Sequence, residues 1–207
     1  MDGDGDTRYL GGGLLARLNF KSSNLGHLYL EGSGRAGSLK NERKNKDIRD
    51  ATGRIARYDS SSPYYVHMGA GYVFNLTESA SLDVYGKYFW TRQEGDAVRL
   101  ATGERLKLMD TDSSRGRIGS RLKVAVSQPV SLYFGAAYAR EYSGAAKAMV
   151  NGFSIKASSI RGDTGIGEIG LAISPSTTFP LVIEIWAEGY TGKREGITGN
   201  LVLKFAF

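Results

Sequence analysis

Apolar residues recur at every second position in about nine segments of roughly ten residues each, and this constrains the chain more than any other feature. A period of two belongs to β-strands, whose successive side chains point to opposite faces of a sheet. Segment 9–20 sets Leu10, Leu14, Ala16, Leu18 and Phe20 against Tyr9, Arg17 and Asn19. Segment 26–39 sets Leu28, Leu30 and Ala36 against Tyr29, Glu31, Ser33 and Arg35, and 64–75 sets Tyr64, Val66, Met68, Ala70, Tyr72 and Phe74 against His67, Gly69, Gly71 and Asn75. Segment 81–93 opposes Leu82, Val84, Tyr88 and Trp90 to Asp83, Tyr85, Lys87 and Thr91. In 114–127, Ile118, Leu122, Val124 and Val126 alternate with four cations, Arg115, Arg117, Arg121 and Lys123. Segments 130–142 and 165–174 follow, the latter with Ile169, Leu171 and Ile173 against Glu168. The eighth opposes Leu181, Ile183 and Ile185 to Glu184 and Glu188, and the ninth, 197–207, carries Leu201, Leu203, Phe205 and Phe207 on one face.

No run approaches the roughly 18 to 20 consecutive apolar residues of a membrane-spanning helix. That criterion does not apply to a membrane barrel, because only alternate residues of each strand meet lipid and the average hydropathy stays moderate. The choice therefore rests on which face points inward. A soluble barrel turns its apolar face in and favours Lys and Glu outside, with few glycines or tyrosines. Here the polar faces mix opposite charges with Gly and Tyr, while the apolar faces carry aromatics near strand ends, as an interfacial girdle does. The fold expected is an all-β transmembrane antiparallel barrel with its apolar sets outward. The inverse arrangement would expose Arg115, Arg117, Arg121 and Lys123 to lipid, at roughly 2 to 4 kcal/mol for each one near the midplane.

The connections agree with that reading. Short links at 21–25, 76–80, 128–129 and 175–180 alternate with mostly longer ones at 40–63, 95–113 and 144–164, the habit of periplasmic turns and outer loops. Pro63, Pro129, Pro175 and Pro180 are all expected at or beside turns, interrupting no strand. The piece 98–108 around Thr102-Gly103 is expected to extend a hairpin beyond the membrane. No Pro/Gly/Ser-rich linker divides the chain, so residues 1–207 read as one domain.

Other function classes are disfavoured. The chain has no cysteine and only two histidines, His27 and His67, so no cofactor or metal is expected. The net charge of +6 does not point to nucleic acid, because the cations of 114–127 alternate with Ile, Leu and Val and have no aromatic stacking platform. The acid–base pair that invites attention, His67 with Asp83, is placed at opposite ends of adjacent strands, so no enzyme is expected. The string Gly165-Ile166-Gly167-Glu168-Ile169-Gly170 lacks the lysine and following helix of a phosphate loop. Lys87, Arg115, Arg117, Arg121, Lys123, Glu168, Glu184 and Glu188 are instead assigned to the lumen. There they either line a passage for polypeptide or ions, or pair across the lumen with acids that include Glu31.

Four strings carry a resemblance: 85–93 (YGKYFWTRQ), 165–171 (GIGEIGL), 189–196 (GYTGKREG) and the terminal 203–207 (LKFAF). In this order they resemble the β-domain of autotransporters, the type V secretion family, over roughly residues 9–207. The resemblance implies a twelve-strand barrel in the bacterial outer membrane, preceded by a lumenal helix and an exported passenger. It also implies that the last strand is read by the barrel-assembly machinery, a role carried to Leu203, Phe205 and Phe207. Val202 stands where the family often has glycine. The partners implied are outer-membrane lipid, the barrel-assembly machinery and the chain's own passenger, which this sequence lacks. About nine of the expected twelve strands are present. With Phe207 at the periplasmic side, nine crossings put Tyr9 outside, so a truncated product or fragment is expected. Met1 is followed by Asp2-Gly3-Asp4-Gly5-Asp6, with no secretory signal. The alternative reading is a porin-like barrel or a loop-presenting adhesin.

Overall fold

A computed structural model of the 207-residue chain describes residues 4–20, 23–44, 57–99, 103–174 and 181–205. The strands in chain order are β1 (Asp4–Asn19), β2 (Gly26–Lys44), β3 (Arg57–Asn75), β4 (Ala80–Gln93), β5 (Ala97–Arg99), β6 (Arg105–Leu108), β7 (Thr111–Ser127), β8 (Val130–Glu141), β9 (Ala145–Val150), β10 (Phe153–Ser159), β11 (Gly162–Ile173), β12 (Leu181–Gly192) and β13 (Gly196–Phe205). Nine of them form one antiparallel sheet in the order β1-β2-β3-β4-β7-β8-β11-β12-β13. These nine are the alternating segments of the sequence, several of them longer at the end where the long loops lie. No described helix is long and apolar enough to cross a membrane, and the strands are the spanning candidates.

Side-chain contacts show how the sheet bends. Tyr29 on β2 donates to Asp83 on β4 at 3.0 Å, and Arg117 on β7 lies 3.0 Å from Glu188 on β12. Strands two and three places apart in a flat sheet are separated by about 10 and 14 Å at the usual spacing of ~4.8 Å. Such contacts therefore require the sheet to curl around its polar face. That concave face buries Tyr29, Tyr85, Tyr133, His67 and Glu168, while Leu10, Leu14, Ile118, Ile169 and Leu201 on the convex face are all more than half exposed. An apolar outer surface of this extent is what a hydrocarbon surrounding stabilises. Among the described residues β1 pairs only with β2 and β13 only with β12, so the sheet is an open, half-barrel arc.

Tyrosine and glycine on the concave side have a common cause. Tyr29 is paired in register with Gly71, Tyr85 with Gly119 and Tyr133 with Gly170. A Cβ on Gly71 would lie 2.5 Å from the Tyr29 ring, and one on Gly170 would collide with the Tyr133 ring. Each tyrosine lies flat over a neighbour without a side chain, which packs the wall and leaves the centre to charged groups.

Two features differ from the sequence expectation. Pro63 lies inside β3, not at a turn. The register slips there, from Ala36↔Tyr64 to Ser38↔Ser61, so Ser62 and Pro63 together face Gly37 in a bulge, where a missing N–H interrupts no ladder bond. Pro129 does sit in the β7–β8 turn, whereas Pro175 and Pro180 lie outside the described residues. The second difference concerns the long loops. The expected hairpin around Thr102-Gly103 is present as β5–β6, but loop 142–161 also forms a hairpin, β9–β10, turned at Asn151 and Gly152 with positive φ at both. β6 then pairs with β9, giving a separate four-stranded sheet, β10-β9-β6-β5, that bridges two loops on either side of the β7–β8 hairpin.

Candidate functional site

The candidate site is the charged wall of the concave face, laid down by one alternate set of residues from each strand. Three clusters occupy it. In the first, Lys87 Nζ approaches Glu31 Oε1 to 2.6 Å, and the same carboxylate receives His67 Nε2 at 3.3 Å and Arg17 at 3.8 Å. The Lys87–Glu31 contact is an ion pair by distance. The His67 ring stacks on Phe89 at 4.9 Å, and its Nδ1 lies 3.3 Å from Ser33 Oγ.

The second cluster is more deeply enclosed. Glu168, with only 2% of its side chain exposed, takes Arg121 at 2.6 Å and Arg117 at 3.9 Å. Arg117 also donates to Glu188 at 3.0 Å, and Tyr190 Oη donates to the other Glu188 oxygen at 2.5 Å. Two cations thus meet two carboxylates, and removing any one would leave a charge enclosed without its counterpart. In the third cluster, nearer the outer loops, Glu141 accepts from Ser113 at 2.8 Å and from Arg194 at 3.2 Å.

The eight lumen-assigned residues are thereby placed. Lys87, Arg117, Arg121, Glu168 and Glu188 belong to the two central clusters. Arg115 stands apart, its guanidinium 4.8 Å above the Phe89 ring with no carboxylate at ion-pair distance among the described residues. Lys123 is exposed and in register with Tyr133 near the short-turn end, and Glu184 lies on the same face of β12. Of the assembly-signal residues, Leu203 is 55% exposed on the convex face opposite Ile183. Phe205 pairs with Leu181 through its backbone, but its side chain, like the whole of Phe207, lies outside the described residues.

Several site residues went unassigned in the sequence reading. Asp83, Arg35 and Glu141 share the inward parity of their strands and were legible in that way. Arg194 lies beyond the end of β12 in a loop, where period two gives no guidance. His67 has a carboxylate neighbour in Glu31 on β2, whereas Asp83 is engaged by Tyr29. Ser33, His67 and Glu31 have the composition of a nucleophile–base–acid relay. The acid is already neutralised by Lys87, however, and the backbone N–H groups of these interior strands are engaged in ladders on both sides, leaving none to form an oxyanion hole. No group of residues able to hold a metal ion occurs among the described residues.

A family model, Autotransporter beta-domain, matches residues 1–183. The chain belongs to that family. This autotransporter β-domain is therefore an outer-membrane translocator barrel of a Gram-negative bacterium, and the family is one of transport and anchoring. The matched range ends within β12, so β13 and the strings 189–196 and 203–207 lie beyond it. Among solved structures the chain is similar to the transport unit of the autotransporter AIDA-I from Escherichia coli, at 13% identity and a TM-score of 0.56. That match covers 99% of this chain and 84% of the other, and at this identity it speaks for the fold. No curated protein matches.

Proposed function

We propose that residues 1–207 form one partial barrel domain of a translocator whose charged concave wall lines the passage for an exported passenger segment, with no catalytic step. The observation supporting this is the inverted burial pattern: charges are enclosed on the concave side and large apolar side chains are exposed on the other. A lumen with both signs of charge paired along its wall stays wet and open to a polar chain, since a peptide without its own hydrogen bonds needs water or polar partners. The convex side chains meet outer-membrane lipid. The test is surface display: with strands supplied ahead of residue 1 to close the arc, a reporter passenger fused ahead of them becomes accessible to external protease in Gram-negative cells, and the His67→Ala variant displays it equally well. A reporter that stays protected while the barrel is inserted would refute the reading.

The same proposal makes Leu203, Phe205 and Phe207 the signal read by the barrel-assembly machinery. Leu201 and Leu203 already share the convex face at the chain's end. In a chain with upstream strands supplied to close the arc, deleting Phe207 sharply lowers insertion in cells, followed by heat-modifiable migration on gels, while refolding into detergent suffers far less because no receptor acts there. Equal losses in both would assign Phe207 to barrel stability alone.

A further inference from the structure

The concave wall is not uniformly neutralised. Arg117, Arg121 and Lys87 each have a carboxylate within ion-pair distance. Arg35 and Arg115 have none among the described residues and rest on aromatic rings instead, Arg35 at 4.1 Å over Tyr65 and Arg115 at 4.8 Å over Phe89. The two rings approach each other to 6.1 Å, so Arg35, Tyr65, Phe89 and Arg115 form one continuous row across β2, β3, β4 and β7. Stacking fixes a guanidinium's plane while leaving its in-plane N–H donors free to meet an acceptor.

Two clefts open along this row. One, of about 620 Å³, is lined by Arg35, Tyr65 and Phe89 and contains four cations, Arg35, Lys87, Arg117 and Arg121, to one carboxylate, Glu188. The other, of about 680 Å³, shares Phe89 and contains Arg115, Arg117, Lys193 and Arg194 against Glu188 and Glu195. Once Glu31, Glu168 and Glu141, which pair with Lys87, Arg121 and Arg194, are counted as well, each cleft has four cations to three carboxylates. Arg35 and Arg115, which have no ion-pair contact among the described residues, face the part of the channel nearest the long loops.

We propose that this row is a carboxylate-binding seat, in which Arg35 and Arg115 hold acidic side chains of the polypeptide lying in the channel. The inference rests on the translocator reading and names the chemistry of the segment that the channel holds. Planar, pre-oriented guanidinium groups suit a carboxylate, which accepts two N–H bonds side by side. The charge-balanced belt below would offer a passing chain no such preference, so an acidic stretch would pause at the seat and a basic one would not.

The test uses the full chain refolded in detergent, with a fluorescein-labelled hexaglutamate peptide followed by anisotropy. The peptide binds at low salt and weakens as ionic strength rises, while a hexalysine peptide does not bind. The double variant Arg35→Gln/Arg115→Gln loses about tenfold or more in affinity, as expected for two charge-assisted contacts. Arg35→Lys/Arg115→Lys, which keeps the charge but loses the planar fork, recovers only part of the binding, and the rim variants Arg92→Gln and Arg140→Gln leave it unchanged. Heat-modifiable migration establishes that each variant is folded. Binding that survives the double Gln substitution, or equal binding of hexalysine, overturns the seat. So does equimolar inorganic phosphate displacing the peptide. Because this assay needs no export, its failure leaves surface display intact, whereas failure of the translocator reading shows in the display assay.

Discussion

The central belt and the outer row of the concave wall are built from the same residue types and solve opposite problems. In the belt, Glu168 and Glu188 are interlocked with Arg117 and Arg121, so each charge is the condition for its neighbour's burial. In the outer row, Arg35 and Arg115 lie on aromatic faces and are supported without opposite charge. The lesson is that a cation's partner determines what it can still do. A guanidinium held by carboxylates is spent on shape, whereas one held by a ring keeps its donors for a visitor.

The contrast is most strongly tested at Glu168. Replacing it with Gln removes the most deeply enclosed charge and leaves Arg117 and Arg121 with Glu188 alone, and the detergent-refolded chain should lose up to about 3 kcal/mol in a denaturant titration. Arg35→Gln, by comparison, removes an exposed stacked cation and should cost only about 0.5 to 1 kcal/mol. Similar losses for both would erase the distinction between belt and row. Gly170→Ala gives an intermediate effect: its Cβ would press on Tyr133, whose ring lies under Arg121 at 4.9 Å, so overpacking should cost about 1 to 3 kcal/mol and disturb the belt without touching a charge.

The smallest effect lies outside the membrane, at the base of loop 94–110. There the Asp110 carboxylate accepts from the Gly95 N–H at 3.0 Å and from Arg92 at 2.7 Å. These two bonds, the backbone one foremost, hold its pKa below the ordinary carboxylate value. A depressed folded-state value means the stabilisation is present above the unfolded value near 3.8 and is lost as pH falls through the folded one. Hydrogen exchange at the Gly95 amide, compared on either side of that window, should show protection falling at the acid end in the native chain. In Asp110→Asn the acid-dependent fall should vanish.

Much of this architecture is legible in the sequence because a strand's two faces are written residue by residue. Tyr64, Val66, Met68, Ala70, Tyr72 and Phe74 state both the strand and its lipid side. Alternation gives parity, however, and not register. His67 could be placed on the inward face, but nothing local shows that β2 brings Glu31 beside it while β2 also sends Tyr29 to Asp83. Pro63 misled for a related reason, since the bulge that accommodates it depends on Gly37 in the facing strand. The hairpin at Asn151-Gly152 did carry a turn signal of its own. Its pairing with β6 did not, because that contact joins loops separated by the whole β7–β8 hairpin.

That bridging sheet has a consequence for how such a surface can diversify. Loops on a barrel rim are ordinarily free to lengthen one at a time, but β6 and β9 share ladder bonds, and Met109 N–H donates to the Lys147 carbonyl just beyond them. Residues 105–109 and 145–151 must therefore change together or lose their pairing, because Asn151 at the second turn also exchanges two hydrogen bonds with Arg105 of β6, whereas no pairing among the described residues ties Gly103 at the other tip. An epitope grafted at the Gly103 tip would ride on a shared platform, and one grafted into β6, β9 or the Asn151 turn would disturb both loops at once.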